Sequence, residues 1–419
     1  MNYWHLQMSR PEGRGGIHID SSLLLKESSP LIGTGEWKNP QCEDFKNRIQ
    51  NGDVVCVKDG QIPIALCRVI GANFNDAALK DKYLHENYRH VKVLEFYKGD
   101  APFPQHQGTL QIAKNKKTAT WQFIHNWYIT FENKKMKEEI KKVLLEKKQI
   151  ILQGPPGTGK TYTAKDIAEF IILGEVSQDK KVQKERLTNS EQFELIQFHP
   201  SYTYDDFVRG VTAKNIKGQI EYITENKVMA ELADKANKNF LASKDAEPLN
   251  YVLIIDEINR ANLPSVLGEL IYALEYRGEA VNSMYALDGD TSIVIPENLY
   301  VIGTMNTADR SVGHIDYAIR RRFAFESLFP QIEVIETEKG KEYFKRVEDL
   351  FSNKYLSSDF QNTQEDVQIG HSYFMGPEEN LSMRMKYEVI PILKEYLKDG
   401  IFKEETRDVI NSFASEITL

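Results

Sequence analysis

The chemistry in this sequence gathers in four places. Residues 154–161 read GPPGTGKT, a match to G-x-x-x-x-G-K-[ST], with a short apolar run before it and an apolar-periodic helix after it. Small residues there let successive backbone N–H groups turn toward phosphate oxygens at a helix N-terminus. Gly154, Pro155, Pro156, Gly157, Thr158, Gly159, Lys160, Thr161 and Tyr162 are therefore expected at a nucleotide, with Lys160 on the β/γ oxygens and Thr161 on Mg²⁺. Asp256 and Glu257 end the apolar run NYVLII. Asp256 would join the magnesium shell, and Glu257 would orient and deprotonate an attacking water. Asn306 follows the run NLYVIGT, where an amide can hold that water or a γ-phosphate oxygen without adding charge. Finally, Arg320, Arg321 and Arg322 stand in succession within DYAIRRRF. Three adjacent arginines call for anions opposite them. One could reach a neighbouring subunit's γ-phosphate as a finger, while pairing within the fold accounts for at least one of the three.

These residues need a sheet edge to bring them together. The run at 250–255 is continuously apolar rather than alternating, which marks a central parallel strand covered on both faces. Carboxylates at the C-terminal end of such a strand sit where an α/β sheet binds ligands. The pattern predicts further strands over 193–198 and 298–304, a helix over 161–173, and a helix capped by Asn262 and running to Leu274. Val281–Ile295 reads as a hairpin turning at Asp288-Gly289-Asp290, and Tyr202, Tyr204 and Phe207 as a small aromatic cluster. The α/β core is expected to occupy 149–325 and a helical lid 326–419, with breaks at Gly340 and Pro391. Within the lid, His371 is placed either against the nucleotide or in a turn packed on Tyr373 or Phe374.

Residues 1–130 read as a small, mostly β domain. Runs at 3–8, 53–58, 62–69 and 91–97 are strand-like, Lys58-Asp59-Gly60 suits a tight hairpin, residues 41–50 suit a helix, and Ser9–Gly35 is loop-like. Trp121 and Phe123, at spacing two, would share a strand face. Lys114, Lys116 and Lys117 form a basic cluster just before them, suited to phosphate contact or to a solvated loop. Residues 131–148 mix both signs of charge with apolar Met136, Ile140, Val143 and Leu144, a linker helix.

A chain of 419 residues, 27% charged and 41% apolar, is an ordinary globular composition with room for two or three domains. The net charge of −8 is uneven: residues 1–130 carry 16 Lys and Arg against 13 Asp and Glu, leaving 37 against 48 for the remainder. The N-terminal part is thus the less repelled by nucleic acid. Cys42, Cys56 and Cys67 form no CxxC pair, which speaks against a zinc knuckle or disulfide framework and for buried thiols. No apolar run reaches the ~20 residues that span a bilayer, and the opening MNYWHLQMSR is not a signal segment, so a cytoplasmic protein without membrane contact is expected.

The blocks GPPGTGKT, FHPSYTYDDFVRG (198–210), LIIDEINRAN (253–262), GTMNTADRS (303–311), DYAIRRRF (316–323) and IGHSYFM (369–375) together resemble the McrB family of AAA+ proteins. The resemblance covers residues from about 145 to 400. It implies an AAA+ P-loop NTPase core with a parallel sheet and C-terminal lid. It further implies a GTP-preferring ring, a hexamer, that translocates on double-stranded DNA with a McrC-like nuclease subunit. Residue by residue it suggests Lys160 and Thr161 for phosphates and Mg²⁺, Asp256 and Glu257 for metal and water, Asn306 as sensor, Asp309 and Arg310 for coupling to the partner, and Arg321 and Arg322 as trans-acting arginines. Nothing in the spacing selects GTP over ATP. No nuclease constellation stands out in this chain, which fits that division of labour. The N-terminal stretch YWHLQM, then GDVVCV and IPIALCRVIGA, resembles the β-barrel modules of the PUA and EVE superfamily, some of which take a modified base into a pocket. That likeness makes Trp4, Trp37 and Trp121 candidates for a base-stacking wall, with Phe123, Trp127 and Tyr128 in the same pool; aromatic residues filling the domain's core is the competing expectation. A MoxR-like ATPase that remodels protein complexes, with a protein-binding N-terminal domain, is the alternative to the restriction motor.

Overall fold

Val54, Val55, Cys56 and Val57 are all fully buried. Such a run belongs in the middle of a sheet covered on both faces. The computed structural model describes residues 1–8, 22–35, 40–104, 108–116, 118–177, 179–216, 218–243, 246–308 and 315–417. They form two compact units, Met1–Met136 and Lys137–Leu419.

In the first unit β1 (Tyr3–Gln7), β2 (Leu31–Thr34), β3 (Val54–Asp59), β4 (Ile62–Val69), β5 (Asn87–Phe96) and β6 (Leu110–Ala113) make one sheet in the order β2-β5-β4-β3-β1-β6. β1 runs parallel to β3, and the other pairings are antiparallel. Among the described residues β2 and β6 remain the two ends of the row, so the mostly β expectation holds but the described strands do not close into a barrel. Strand alternation splits the apolar residues: Trp4, Leu6, Val55, Val57 and Cys67 pack with Phe45 and Tyr88 on one face. Val54, Cys56 and Leu66 pack with Phe103, Ile124 and Tyr128 on the other. All three cysteines are buried free thiols.

Two expectations fail in this unit. The segment read as loop contains β2, where a Cβ on Gly33 would lie 3.0 Å from the His85 ring and 3.1 Å from that of Tyr88, so a side chain there would crowd both rings. Trp121 and Phe123 lie not on a strand but on the helix Ala119–Lys147, which starts well before the expected linker. Trp121, Ile124 and Tyr128 recur at helical spacing, and Tyr3 meets the rings of Trp121 and Tyr128 at centroid distances of 5.6 and 5.9 Å. The Thr118 hydroxyl accepts the Trp121 N–H at 3.3 Å and caps the helix start.

The second unit contains β7 (Gln149–Gly154), β8 (Phe193–Gln197), the hairpin β9 (Arg209–Ile216) and β10 (Gln219–Asn226), β11 (Tyr251–Asp256), the hairpin β12 (Ala280–Leu287) and β13 (Asp290–Val294), β14 (Leu299–Asn306) and β15 (Ala324–Ser327). Five of these form a wholly parallel sheet in the order β15-β7-β14-β11-β8. Parallel strands end on one side, so Gly154, Asp256 and Asn306 reach the same edge; Asn306 is directly opposite Gly154 in the register. The β9–β10 hairpin is absent from the expected elements: Val211 and Ala213, then Ile220 and Tyr222, alternate only briefly, on strands that are mostly exposed. Buried Arg209 ties it to the second hairpin, donating to the carbonyls of Tyr285 (3.0 Å), Asp290 (3.1 Å) and Ser292 (3.3 Å). The helix expected from Asn262 to Leu274 is broken at Gly268 (φ 52°, ψ −127°) into Leu263–Leu267 and Leu270–Ala273.

Residues after β15 build a helical section with its own core, including Phe344, Phe351, Phe374, Val389 and Leu393. Gly340 does not break the helix Glu338–Leu350. It sits in the first turn, its N–H donated to the Thr337 hydroxyl at 3.2 Å. Pro391 stands at the start of the helix Ile390–Lys398 after a π turn over Met385–Val389, which absorbs the missing N–H. No described helix is long and apolar enough to cross a membrane.

Candidate functional site

The phosphate loop follows β7 and turns on three glycines of positive φ: Gly154 (151°), Gly157 (82°) and Gly159 (82°). A Cβ on Gly154 would stand 2.2 Å from the Leu328 carbonyl oxygen, so neither its conformation nor its space admits a side chain. Lys160 opens the helix Lys160–Leu173, and its Nζ donates to the carbonyls of Gly154 (3.0 Å) and Pro155 (2.9 Å). Burial pushes its ammonium down to about 8, while the Glu257 and Asp256 carboxylates pull the other way. Thr158 is buried and bonds its own loop through the Pro155 carbonyl at 3.0 Å. Tyr162 is 51% exposed, with Lys180 Nζ 4.0 Å and Lys137 Nζ 5.5 Å from its ring centre.

Across the sheet edge, Asp256 Oδ1 accepts the hydroxyls of Thr161 at 2.7 Å and Thr304 at 2.5 Å. Thr304 also accepts the Glu257 N–H at 3.2 Å. Glu257 holds a left-handed backbone (φ 54°, ψ 43°), which costs a non-glycine residue about 1–3 kcal/mol and lifts its carboxylate off the strand direction. Asn306 Nδ2 donates to Glu257 Oε1 at 2.5 Å, and Arg260 Nε to Oε2 at 3.2 Å. Thr304 and Arg260 escaped the sequence reading; position 304 at a buried strand's end was the signal for the first.

The donor set suits Mg²⁺ with a nucleotide. Thr161 and Asp256 offer hard oxygens already in contact. Among the described residues no group of three or more His, Cys, Asp or Glu is arranged to hold a metal alone. Phosphate and water oxygens would therefore supply the remaining ligands.

Of the arginines, Arg322 is committed within the fold: it donates to the carbonyls of Ile271 (2.5 Å) and Ala318 (2.9 Å) and pairs with Glu275 at 2.7 Å. Its side chain is 13% exposed, so the expectation of a trans-acting role for Arg322 is corrected. Arg321 keeps 70% of its side chain exposed, with a 3.5 Å contact to Glu275. Arg320 lies over Phe325. Asp309 and Arg310 lie outside the described residues.

His371, on the lid, accepts the Gln331 N–H through Nδ1 at 3.2 Å, and burial pushes its imidazole down to about 4. Its Nε2 lies 3.9 Å from where a Cβ on Gly159 would stand, so the lid turn borders the phosphate loop.

The candidate base wall does not assemble. Trp4 is 1% exposed in the core of the first unit, and its Nε1 donates to Asp53 Oδ2 at 2.9 Å. Trp121 stacks on His125 at 4.0 Å, and Trp37 lies outside the described residues. Trp4→Phe is expected to lower the stability of the first unit by about 1–3 kcal/mol, the worth of a bond to a charged acceptor, read by denaturant unfolding. An unchanged midpoint with altered DNA binding would restore Trp4 to a ligand role.

The glycine loop on the first strand of a parallel sheet in 5-1-4-3-2 order, the acidic pair on the third and the amide on the fourth define an AAA domain. Residues 149–323 match the family model of the AAA domain (dynein-related subfamily), and residues 352–403 match that of the McrB alpha-helical lid domain. The chain thus joins an AAA domain to a lid of the McrB type. It is 34% identical over 292 residues to the type IV methyl-directed restriction enzyme EcoKMcrB subunit of Escherichia coli K12, covering 64% of this chain and 58% of that one. It is 28% identical over 207 residues to the type II restriction enzyme BsuMI component YdiS of Bacillus subtilis, covering 42% and 56%. The chain thus spans less than two thirds of the length of these relatives. The crystal structure of human THYN1 with 5-methylcytosine-containing DNA aligns at 12% identity over 30% of this chain and 95% of that one, with a TM-score of 0.23, too low to carry an argument.

Proposed function

We propose that this chain is a GTP-hydrolysing motor subunit of a modification-dependent restriction system, acting as a hexameric ring on double-stranded DNA with a separate McrC-like nuclease. The observation that carries the reading is the meeting of Thr161 and Asp256 at 2.7 Å and of Asn306 and Glu257 at 2.5 Å at one sheet edge. A magnesium ion held by Thr161 and Asp256 would supply positive charge against the charge that develops on the phosphates. The chain's own part is positional. Loop N–H groups and Lys160 bind the phosphates, and Thr161 and Asp256 hold the metal. Asn306 steadies the Glu257 carboxylate, which takes the proton of the attacking water. Arg321, exposed on the molecule's surface, is the trans-acting arginine, and Asp309 and Arg310 couple the ring to the nuclease subunit.

In this reading residues 1–136 recognise DNA carrying a modified base, as an EVE-like module, and Trp121 with Lys116 5.8 Å from its ring centre supports an aromatic and cationic contact. The likeness to components of two restriction enzymes favours this over a protein-remodelling MoxR-like role. The test is hydrolysis of GTP and ATP by the full chain, alone and with its nuclease partner, in the presence of duplexes with and without methylated cytosine. Faster GTP turnover, raised by the partner, together with tighter binding of the modified duplex, is expected. Equal turnover of ATP, or indifference to DNA with response to a protein client, would replace the restriction reading by the remodelling one.

A further inference from the structure

Gly370 is buried, and its backbone (φ −69°, ψ 161°) lies in a region open to every residue. Conformation therefore does not require glycine there. Space does: a Cβ would stand 2.1 Å from the Gly157 carbonyl carbon, 2.2 Å from its oxygen and 2.5 Å from Thr158 N, all backbone atoms of the phosphate loop. At this approach the Gly370 N–H donates to the Pro156 carbonyl at 2.8 Å, and the Ser372 N–H to the Gly157 carbonyl at 3.0 Å. Gly157 is matched in turn, since a Cβ on it would lie 2.7 Å from the Tyr373 ring and 2.8 Å from Ser372 Oγ.

A trans peptide unit is planar, with its C=O and N–H pointing opposite ways. Drawing the Pro156 and Gly157 carbonyls toward the lid turn therefore aims the N–H groups of Gly157 and Thr158 away from it. Phosphate binding needs loop N–H groups presented in concert. The turn is itself anchored at both ends: His371 accepts the Gln331 N–H, and the Thr307 hydroxyl donates to the Asp366 carbonyl at 2.5 Å. Thr307, just past the sensor strand, also donates its N–H to the Gly154 carbonyl at 3.1 Å.

We propose that the lid turn Gly370–Ser372 is a positioning element of the phosphate loop, orienting two of its peptide units for phosphate, so that nucleotide grip and lid placement are coupled through backbone contacts. The proposal rests on the reading of residues 154–161 as a nucleotide site.

The test is Gly370→Ala in the full chain, with affinity for a non-hydrolysable GTP analogue and its ATP counterpart measured with Mg²⁺ by titration. Affinity for whichever analogue the unaltered chain binds should fall at least tenfold at a temperature where the variant is still folded. Leu393→Ala separates positioning from mere lid stability: Leu393 is fully buried in the lid core away from the loop. That variant should melt lower and keep its affinity within threefold. If Gly370→Ala does not fold, Ser372→Pro, which removes the N–H on the Gly157 carbonyl together with the hydroxyl and fixes φ, must show the same loss, with Ser372→Ala as the control for the hydroxyl. Unchanged affinity in the folded variant overturns the coupling and leaves the nucleotide site intact. An unaltered chain that binds neither analogue removes the site, and the coupling falls with it.

Discussion

Replacing Arg321 by alanine is expected to lower hydrolysis by about 10³-fold or more in the assembled ring, the scale on which a finger arginine stabilises transferred charge. Its folding stability should hardly change, because an exposed side chain with one 3.5 Å contact to Glu275 contributes at most about 1 kcal/mol. Arg322→Ala should do the reverse. It strips the Ile271 and Ala318 carbonyls of a donor and leaves Glu275 with its weaker partner, a loss of about 2–4 kcal/mol. The paired measurement is turnover and unfolding midpoint for both variants. In mixed rings, Arg321→Ala subunits should regain activity where a neighbour with the intact arginine faces their site. An Arg321→Ala protein that hydrolyses normally, or that shows no rescue in a verified mixed assembly, ends the trans-acting assignment.

Glu257→Gln should cut turnover by about 10²–10⁴-fold, the usual contribution of a general base, with nucleotide affinity held within a few fold. The amide keeps the shape of the carboxylate and can still accept from Asn306, so the loss falls chiefly on basicity. It also weakens the contact to Arg260, whose guanidinium holds the second carboxylate oxygen at 3.2 Å. Turnover must be measured under single-turnover conditions, with nucleotide binding followed separately. Wild-type rates in a binding-competent Glu257→Gln protein would remove Glu257 from its role and leave Asn306 and Arg260 as a structural pair.

The parts of the fold that were legible share a property: their signal lies in consecutive residues. Four of the five parallel strands were legible from their apolar runs, most plainly at 251–255, where every residue is buried as a strand covered on both faces requires; β15, half-buried at the sheet's edge, carries no such run. The turn at Asp288 and Gly289 was readable because both take positive φ, which few residue types do cheaply. The illegible parts depend on partners far along the chain. The hairpin β9–β10 has mostly exposed strands and is held by Arg209 to carbonyls more than seventy residues on. Over three residues the helix at 119 reads as a strand, and the contacts of Trp121, Ile124 and Tyr128 with Tyr3 and the sheet residues around it select the helical period.

By itself the sequence marked the groups proposed for the chemistry: the glycine loop with Lys160 and Thr161, the acids at 256 and 257, the amide at 306. Residue type and strand-end position suffice there, since phosphate, metal and water each demand particular atoms. Tertiary structure alone decided which of two adjacent arginines is available, that Trp4 belongs to a core, and that Gly370 must lack a side chain. Each of these turns on what lies within a few ångströms in space, and a neighbour two hundred residues away, such as Gly157 to Gly370, leaves no trace in local pattern.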